Sequence, residues 1–413
     1  MPKLMRMLVF GEEFAPPAYI PRMRYFCLYF LQKGWEIDYV VEGKGSTCHI
    51  PDGVNVRAID YYSRKGKSFE RAEWLCKFAL GLACDYKSRF FYHKSEPFWS
   101  GRQYDLVFTS SNLVFPLYAA AQAAKDLRVP LFVDLRDIPE QSPDDNYYLG
   151  RRPPRIIGKP LFAVYNKLNL YRRNRVLARA KAVTTVSPWH VETLSQYNPH
   201  TFLVYNGYDE NLFHPEAVPT EYFTVSYFGR IYNELMRTPR PLFESVARLR
   251  AGGILDEKNT RLRWFVDDVS KQVVEKIAQE YGLQDMVEVR DFISPSGLQA
   301  EMARSSVLLV LCNVQSRKRF FGMMTTKFFE YVGCNRPVLC TPDNGDNLAK
   351  LVRETGCGLV SSDGAEIDSF LRERFNEWEK NGHTEGNVPE SIRLNFSRGY
   401  AAQTWEKLFA HAV

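Results

Sequence analysis

Residues 307–341 read VLLVLCNVQSRKRFFGMMTTKFFEYVGCNRPVLCT. Val307–Leu311 is an unbroken apolar run, the pattern of a strand covered on both faces. A loop follows with Arg317, Lys318, Arg319 and Gly322. Thr325 or Thr326 can then cap a helix. Phe328, Phe329 and Val332 suit that helix's sheet-facing side, and Pro337–Cys340 reads as the next strand. Strand, helix, strand is the unit of a parallel α/β sheet. The first-turn N–H groups of such a helix attract anions, and a basic loop feeding them suggests phosphate. Glu330 lies about one turn further on, where a carboxylate can accept two hydrogen bonds from a vicinal diol such as a ribose. The plainer alternative is an exposed acid on a solvated helix, preceded by a solvated basic loop.

The same alternation runs outward in both directions. Arg6–Phe10 reads as a first strand, Pro21–Lys33 as a helix stopped by Gly34, and Glu36–Val41 as the second strand. Further strands are expected at 106–109, 131–134, 182–186 and 202–205. Ser187-Pro188 opens a helix with a good cap and a first-position proline. Asn206-Gly207 signals a tight turn, and Phe213–Thr220 (FHPEAVPT) reads as a linker. After it the pattern restarts at 223–228, 262–266, 287–290, 307–311, 337–340 and 358–360. The expectation is an α/β protein of two doubly wound, Rossmann-like domains facing each other across a cleft. The first spans 1–216 and the second 217–397, and a last helix near 398–413 is free to pack back on the first.

The bulk numbers agree. A chain of 413 residues is too long for one ordinary core. With 45% hydrophobic and 25% charged residues it belongs among globular proteins, not disordered ones. Its eight cysteines form no CxxC pair and no zinc-ligand spacing, which fits a reducing compartment and buried thiols. The N-terminal apolar run is too short for a signal peptide, and no run of about 18 apolar residues suggests a membrane span. The net charge of +6 is unevenly spread. Arg151–Lys181 carries ten Lys/Arg and no Asp/Glu, and Tyr61–Arg102 carries nine basic against four acidic residues. Aromatics interleave with both runs. That composition suits an anionic membrane surface or a lipid-diphosphate; the alternative is ordinary helices with inward aromatics and solvated cations. No recognition motif accompanies the charge, so nucleic acid is a poor fit. VFGEEFAPP lacks the G-x-G-x-x-G turn, which argues against a dehydrogenase.

TTKFFEYVGCNRPVLCT resembles the K-x-F-E-Y…P-V signature of family 4 glycosyltransferases, which have the GT-B fold. Other segments agree in order: FAPPAYIPRMRYFCLYFLQKGWEIDYVV, VPLFVDLRDIPE, AVTTVSPWHVETL, VYNGYDENLFHP and YFGRIYNELMRTPRPLFESV. The resemblance covers most of the chain. It implies retaining transfer of a sugar from a UDP- or GDP-sugar to a glycan or lipid-linked acceptor, in surface polysaccharide biosynthesis. It also implies no metal and no cofactor beyond that co-substrate. The expected place is the cytoplasm, with possible attachment at the inner face of the plasma membrane.

Residue by residue, the resemblance gives Glu330 the donor ribose and the N–H groups around Met324, Thr325 and Thr326 the pyrophosphate. Lys327, Arg237 and Arg319 become further phosphate candidates. Arg230 follows Gly229 at a strand end, matching a basic residue that stabilises the leaving phosphate; a bland alternative is a surface arginine on a turn. Asp137 joins Arg230 as a catalytic candidate. Asp134, Arg136, Asn112 and Asn206 are candidates to touch the acceptor or line the cleft, although among Asp134, Arg136 and Asp137 an Asp–Arg pair that fixes the loop is an equal alternative. The family's first acid would fall at Gly322, so that carboxylate grip is missing. His190 and His214 read as structural. Asp267-Asp268 is the one metal-like pair, and ending a strand explains it better. Two other classes share the architecture: a nucleotide-sugar 2-epimerase, and a non-catalytic nucleotide-binding partner.

Overall fold

The computed structural model describes residues 4–11, 21–43, 50–62, 67–111, 114–141, 158–231, 233–234, 236–314 and 322–411. By internal contacts the chain divides into two units, residues 1–205 with 402–413, and residues 206–401. Residues 206–216, read with the first domain from sequence, join the second unit in this division. Tyr208 is the reason: its N–H donates to Phe396 O (2.9 Å), and its own carbonyl accepts from Arg398 N–H (2.8 Å).

The first unit holds β1 (Arg6–Gly11), α1 (Pro21–Gln32), β2 (Glu36–Glu42), β3 (Val54–Ile59), α2 (Lys67–Cys84) and α3 (Tyr86–Trp99). It continues with β4 (Leu106–Ser111), α4 (Leu117–Leu127), β5 (Leu131–Leu135), α5 (Gly158–Leu177), β6 (Ala182–Thr185), α6 (Pro188–Ser195) and β7 (Thr201–Leu203). Its seven strands are ordered β3-β2-β1-β4-β5-β6-β7, and every pairing is parallel. β1, β4 and β5 are almost wholly buried and start or run apolar because helices cover both faces, with polar residues confined to the ends, as in Thr109–Ser111 and Asp134. The end of α14 (Arg398–Ala410) belongs here: Trp405 and Phe409 pack edge-on against Phe26 of α1 at 5.1 and 6.2 Å. Ser187 caps α6 through His190 N–H, as its Ser-Pro signal suggests.

The strand β3 was not expected. Its sequence, VNVRAI, alternates half-buried with exposed positions, the mark of an edge strand with one wet face. Short apolar runs reveal central strands and pass over such an edge.

The second unit holds β8 (Phe223–Phe228), α7 (Arg240–Ala251), β9 (Thr260–Phe265), α8 (Asp268–Glu280), β10 (Val287–Arg290), α9 (Pro295–Ala303) and β11 (Val307–Leu311). Then come α10 (Thr326–Cys334), β12 (Val338–Thr341), α11 (Asn347–Thr355), β13 (Gly358–Val360), α12 (Gly364–Asn381), α13 (Glu390–Leu394) and the start of α14. The sheet order is β10-β9-β8-β11-β12-β13, again all parallel. Phe243, Trp264, Leu309 and Leu339 lie at the centre of its core. In each sheet the chain reverses winding direction once, between β1 and β4 and between β8 and β11. Ligands of open parallel sheets bind outside the carboxyl ends of the strands at such a point.

Candidate functional site

The second unit's switch point lies where β8 and β11 end. Gly229 and Arg230 follow β8. Gly229 has φ +153°, a conformation that L side chains rarely adopt, and an added Cβ would meet the Tyr227 hydroxyl at 3.3 Å. That hydroxyl donates to Arg230 O (2.9 Å), and Arg237 Nη1 donates to the same carbonyl (2.8 Å). The Arg230 side chain is about half exposed; its Nε lies 3.1 Å from Asp267 Oδ2. Asp267 caps α8 through Ser270 N–H, and the Ser270 hydrogen bond together with nearby Arg230 holds its carboxyl below the usual range. Asp267 therefore closes a helix end and steadies Arg230.

Arg237 pairs with Asn313 in an isolated antiparallel bridge, which ties the turn after β8 to the end of β11. A small pocket opens there, lined by Arg237, Asn313, Met324, Thr325, Asn344 and Asp346 among others. Thr325 is the N-cap residue of α10, in extended conformation, and its hydroxyl makes no capping bond. The first N–H groups of α10 thus lack an internal cap at the edge of a polar pocket, the local geometry of an anion site. Thr326 begins the helix and is exposed.

Lys327 and Glu330 are one turn apart on α10, and Lys327 Nζ donates to Glu330 Oε2 at 2.8 Å. The Glu330 side chain is only 10% exposed and that of Lys327 26%. Glu330 is therefore not a solvated helix position. Phe328, Phe329 and Val332, all fully buried, hold α10 on the sheet as their spacing suggests.

Gly322 stands where the family resemblance leads one to expect an acid. It has φ +64°, the left-handed region, and its N–H donates to Asp346 Oδ1 at 3.3 Å. A backbone turn occupies the place of a side chain. Asp346 also caps α11 through Asn347 N–H. Sequence reasoning passed over Asp346, Asn344 and Asn313. The signal was present in PDNGDN: an Asn-Gly turn followed by an aspartate in N-cap position.

Arg319 and Asn112 lie outside the described residues, as do Arg317 and Lys318. Asn206 is half-buried at the start of the second unit.

The remaining candidates belong to the first unit. Asp134 does not offer itself to a ligand. It is 0% exposed, and its two oxygens accept from Arg22 Nη2 (2.7 Å), Arg22 Nε (3.1 Å), Thr184 Oγ1 (2.7 Å) and Ser110 Oγ (3.0 Å). Its charged partner is Arg22 of α1. Arg22 also donates to Val204 O and Tyr205 O, and its guanidinium lies 4.5 Å over the Trp405 ring.

Arg136 donates its backbone N–H to Ser111 O. Asp137 is half-buried just after β5, and burial raises its carboxyl above the usual range, with Arg136 opposing. A relay holds it. Gln141 Nε2 donates to Asp137 Oδ1 (3.3 Å), and Gln141 Oε1 faces His190 Nε2 (2.7 Å). His190 Nδ1 in turn faces Thr185 Oγ1 (3.1 Å). One neutral tautomer, protonated at Nε2, satisfies both contacts, and burial lowers the imidazole to about 4. His190 is thus a structural group that orients Gln141. At His214 the backbone is used, its N–H and carbonyl pairing with the Gln299 amide. Among the described residues no cluster of three His, Cys, Asp or Glu could hold a metal ion.

No protein-family model and no curated protein sequence matches the chain. Solved structures do. Anabaena HepE in complex with UDP aligns at TM-score 0.64 and 14% identity, over 98% of this chain and all of that one. Sucrose-phosphate synthase from Thermosynechococcus elongatus aligns at 0.58 and 15%, over 98% of both chains. A protein described as a putative UDP-N-acetylglucosamine 2-epimerase from Listeria monocytogenes aligns at 0.55 and 11%, over 98% of this chain and 95% of that one. With two parallel sheets of seven and six strands, each a Rossmann-like half, the chain has the GT-B fold.

Proposed function

We propose that this chain is a glycosyltransferase that takes a sugar from a UDP- or GDP-sugar. The observation that carries the reading is the cluster at the second unit's switch point. The open N-terminus of α10, Lys327 and Arg230 supply positive potential suited to a diphosphate. The sheltered Glu330 carboxylate suits a ribose diol. The HepE structures with UDP and UDP-glucose support a nucleotide-sugar donor on this fold.

In the proposed reaction the bond between the anomeric carbon and the diphosphate oxygen breaks, and the leaving phosphate takes the electron pair. Helix N–H groups and Arg230 stabilise the developing charge. The acceptor hydroxyl bonds to the anomeric carbon from the same face, and its proton passes to a phosphate oxygen. Configuration is retained. The reading includes metal-independent transfer in the cytoplasm to a glycan or lipid-linked acceptor of surface polysaccharide synthesis.

A thermal-shift panel of UDP, GDP, ADP, CMP and their sugars tests the donor. Saturation at about 100 times Kd stabilises by roughly 2.7 kcal/mol, a shift of several degrees. Glu330→Ala removes charge-assisted bonds to the ribose and should weaken UDP or GDP binding roughly tenfold to a hundredfold. Arg230→Ala should lower turnover while leaving stability nearly unchanged, since its exposed ion pair contributes under about 1 kcal/mol. Wild-type affinity and turnover in both variants would remove the site assignment, and stabilisation by NAD(P) alone would sink the whole reading. The epimerase alternative draws on the Listeria neighbour. It requires donor conversion with no acceptor present.

A further inference from the structure

At the amino ends of the first unit's strands, where β5 and β6 begin, lies a hollow of about 760 Å³. It sits between the C-terminal ends of α4 and α5. Pro130 and Leu131 form its floor, and Lys181 N–H donates to Leu131 O at 2.7 Å. Among the described residues seven cations line it and no acid does. Arg172 is committed, donating to Gly81 O and Leu82 O of α2, and Arg89 donates to Cys84 O. Lys125, Arg128, Arg175, Arg179 and Lys181 are exposed and have no acidic partner among the described residues.

Helix ends alone do not account for this charge. The C-termini of two helices present about half a negative charge each, roughly one in total. Counting Asp126, next to Lys125 in the chain, and Asp85, whose carboxyl feels Arg172, still leaves an excess of five formal charges from seven. Asp126 is already engaged by Tyr92 and Gln122. Arg128 caps α4 at φ +57°, where glycine costs least and a side chain costs about 1 kcal/mol.

The pocket also continues into an apolar stripe. Along α5, Leu161, Val164, Leu168 and Tyr171 recur at helical spacing on one face, and the next position of that face is Arg175. Leu161, Val164 and Tyr171 are 44, 49 and 59% exposed. The strip of α5 bordering this stripe is committed to α2 through Tyr165, which packs on Phe78 at 4.8 Å. An apolar stripe running into a cluster of unpaired cations is the pattern of a helix lying on an anionic membrane surface.

We infer that this face of the first unit docks on an anionic lipid bilayer, with a lipid phosphate headgroup in the Arg128–Lys181 pocket and the α5 stripe at the acyl boundary. The inference is independent of the transferase reading, because binding is measured without turnover.

The test is co-sedimentation of the full chain with vesicles of phosphatidylglycerol and phosphatidylcholine, and with pure phosphatidylcholine vesicles, at low salt. The expected result is binding to the first only, weakened roughly 30-fold by Arg128→Gln/Lys181→Gln, at about fivefold per charge. The control Lys271→Gln/Lys350→Gln removes two exposed charges from the second unit and should bind as wild type. Both pocket residues are exposed, so the variant should keep the wild-type Tm. A thermal-shift arm with inorganic pyrophosphate separates a soluble anion from a lipid. Pyrophosphate stabilisation without vesicle binding would overturn the lipid assignment. Equal losses in the pocket variant and the control would overturn the pocket, as would no binding to anionic vesicles.

Discussion

Replacing Asp134 with asparagine separates a structural carboxylate from a substrate-binding one. The side chain keeps its shape and loses its charge. Arg22, 5% exposed, would then face a neutral amide across contacts that now measure 2.7 and 3.1 Å. One amide position must also turn an N–H toward a group that previously met an acceptor. Breaking a buried ion pair by removing one partner costs about 3–5 kcal/mol. Each kcal/mol moves the Tm of a domain of about 200 residues by roughly 2–4 °C. Asp134→Asn should therefore unfold the first unit roughly 6–20 °C below wild type. Because Arg22 stacks on Trp405, tryptophan emission during a thermal or urea ramp follows the unit. Arg22→Met combined with Asp134→Asn should recover at least 1 kcal/mol relative to the sum of the single variants, since no charge is then left unpaired. Below its Tm, Asp134→Asn should bind nucleotide and acceptor as wild type does. A loss under about 1 kcal/mol together with a raised acceptor KM would refute the structural assignment and return Asp134 to the site.

His190 should set part of the acid sensitivity. Its folded value near 4 lies below the ordinary 6.5, so between these the unfolded chain binds the extra proton. Stability is full above about pH 6.5 and is lost as pH falls toward 4, by about 3 kcal/mol in all. His190→Gln should flatten that window in urea titrations at pH 4.5 and 7; an unchanged slope would show that the imidazole does not carry it. Gly322→Ala places a Cβ at φ +64° and should cost about 1 kcal/mol, a fall of roughly 2–4 °C in a thermal melt. If it melts as wild type, the left-handed turn does not explain why a glycine occupies the acid's position.

What could be read from sequence was local. VLLVL, RMLVF and LFVD declare themselves as buried strands because a strand covered on both faces carries a short run of adjacent apolar residues. Ser187-Pro188 declares a helix start because the hydroxyl and the ring each satisfy a local backbone requirement. The start of α10 at Thr325-Thr326 and the place of Glu330 about one turn later also follow from spacing along a single helix, although the Thr325 hydroxyl makes no capping bond. β3 was not legible because an edge strand with a wet face has no continuous apolar run.

Partnership was decided by tertiary structure. Asp134, Arg136 and Asp137 are neighbours in DLRD, and an Asp–Arg pair among them is the natural local reading. The fold instead brings Arg22 across a separation of 112 residues, because parallel strands carry the end of β5 beside the start of α1. The Asp137–Gln141–His190–Thr185 relay and the pairing of Arg237 with Asn313 arise in the same way. The basic pocket gathers cations from α3, from the ends of α4 and α5, and from the residue before β6. Periodicity depends on neighbours along the chain and is written in the sequence. Whether a charge is paired, buried or left facing solvent depends on groups that only folding brings within a few ångströms.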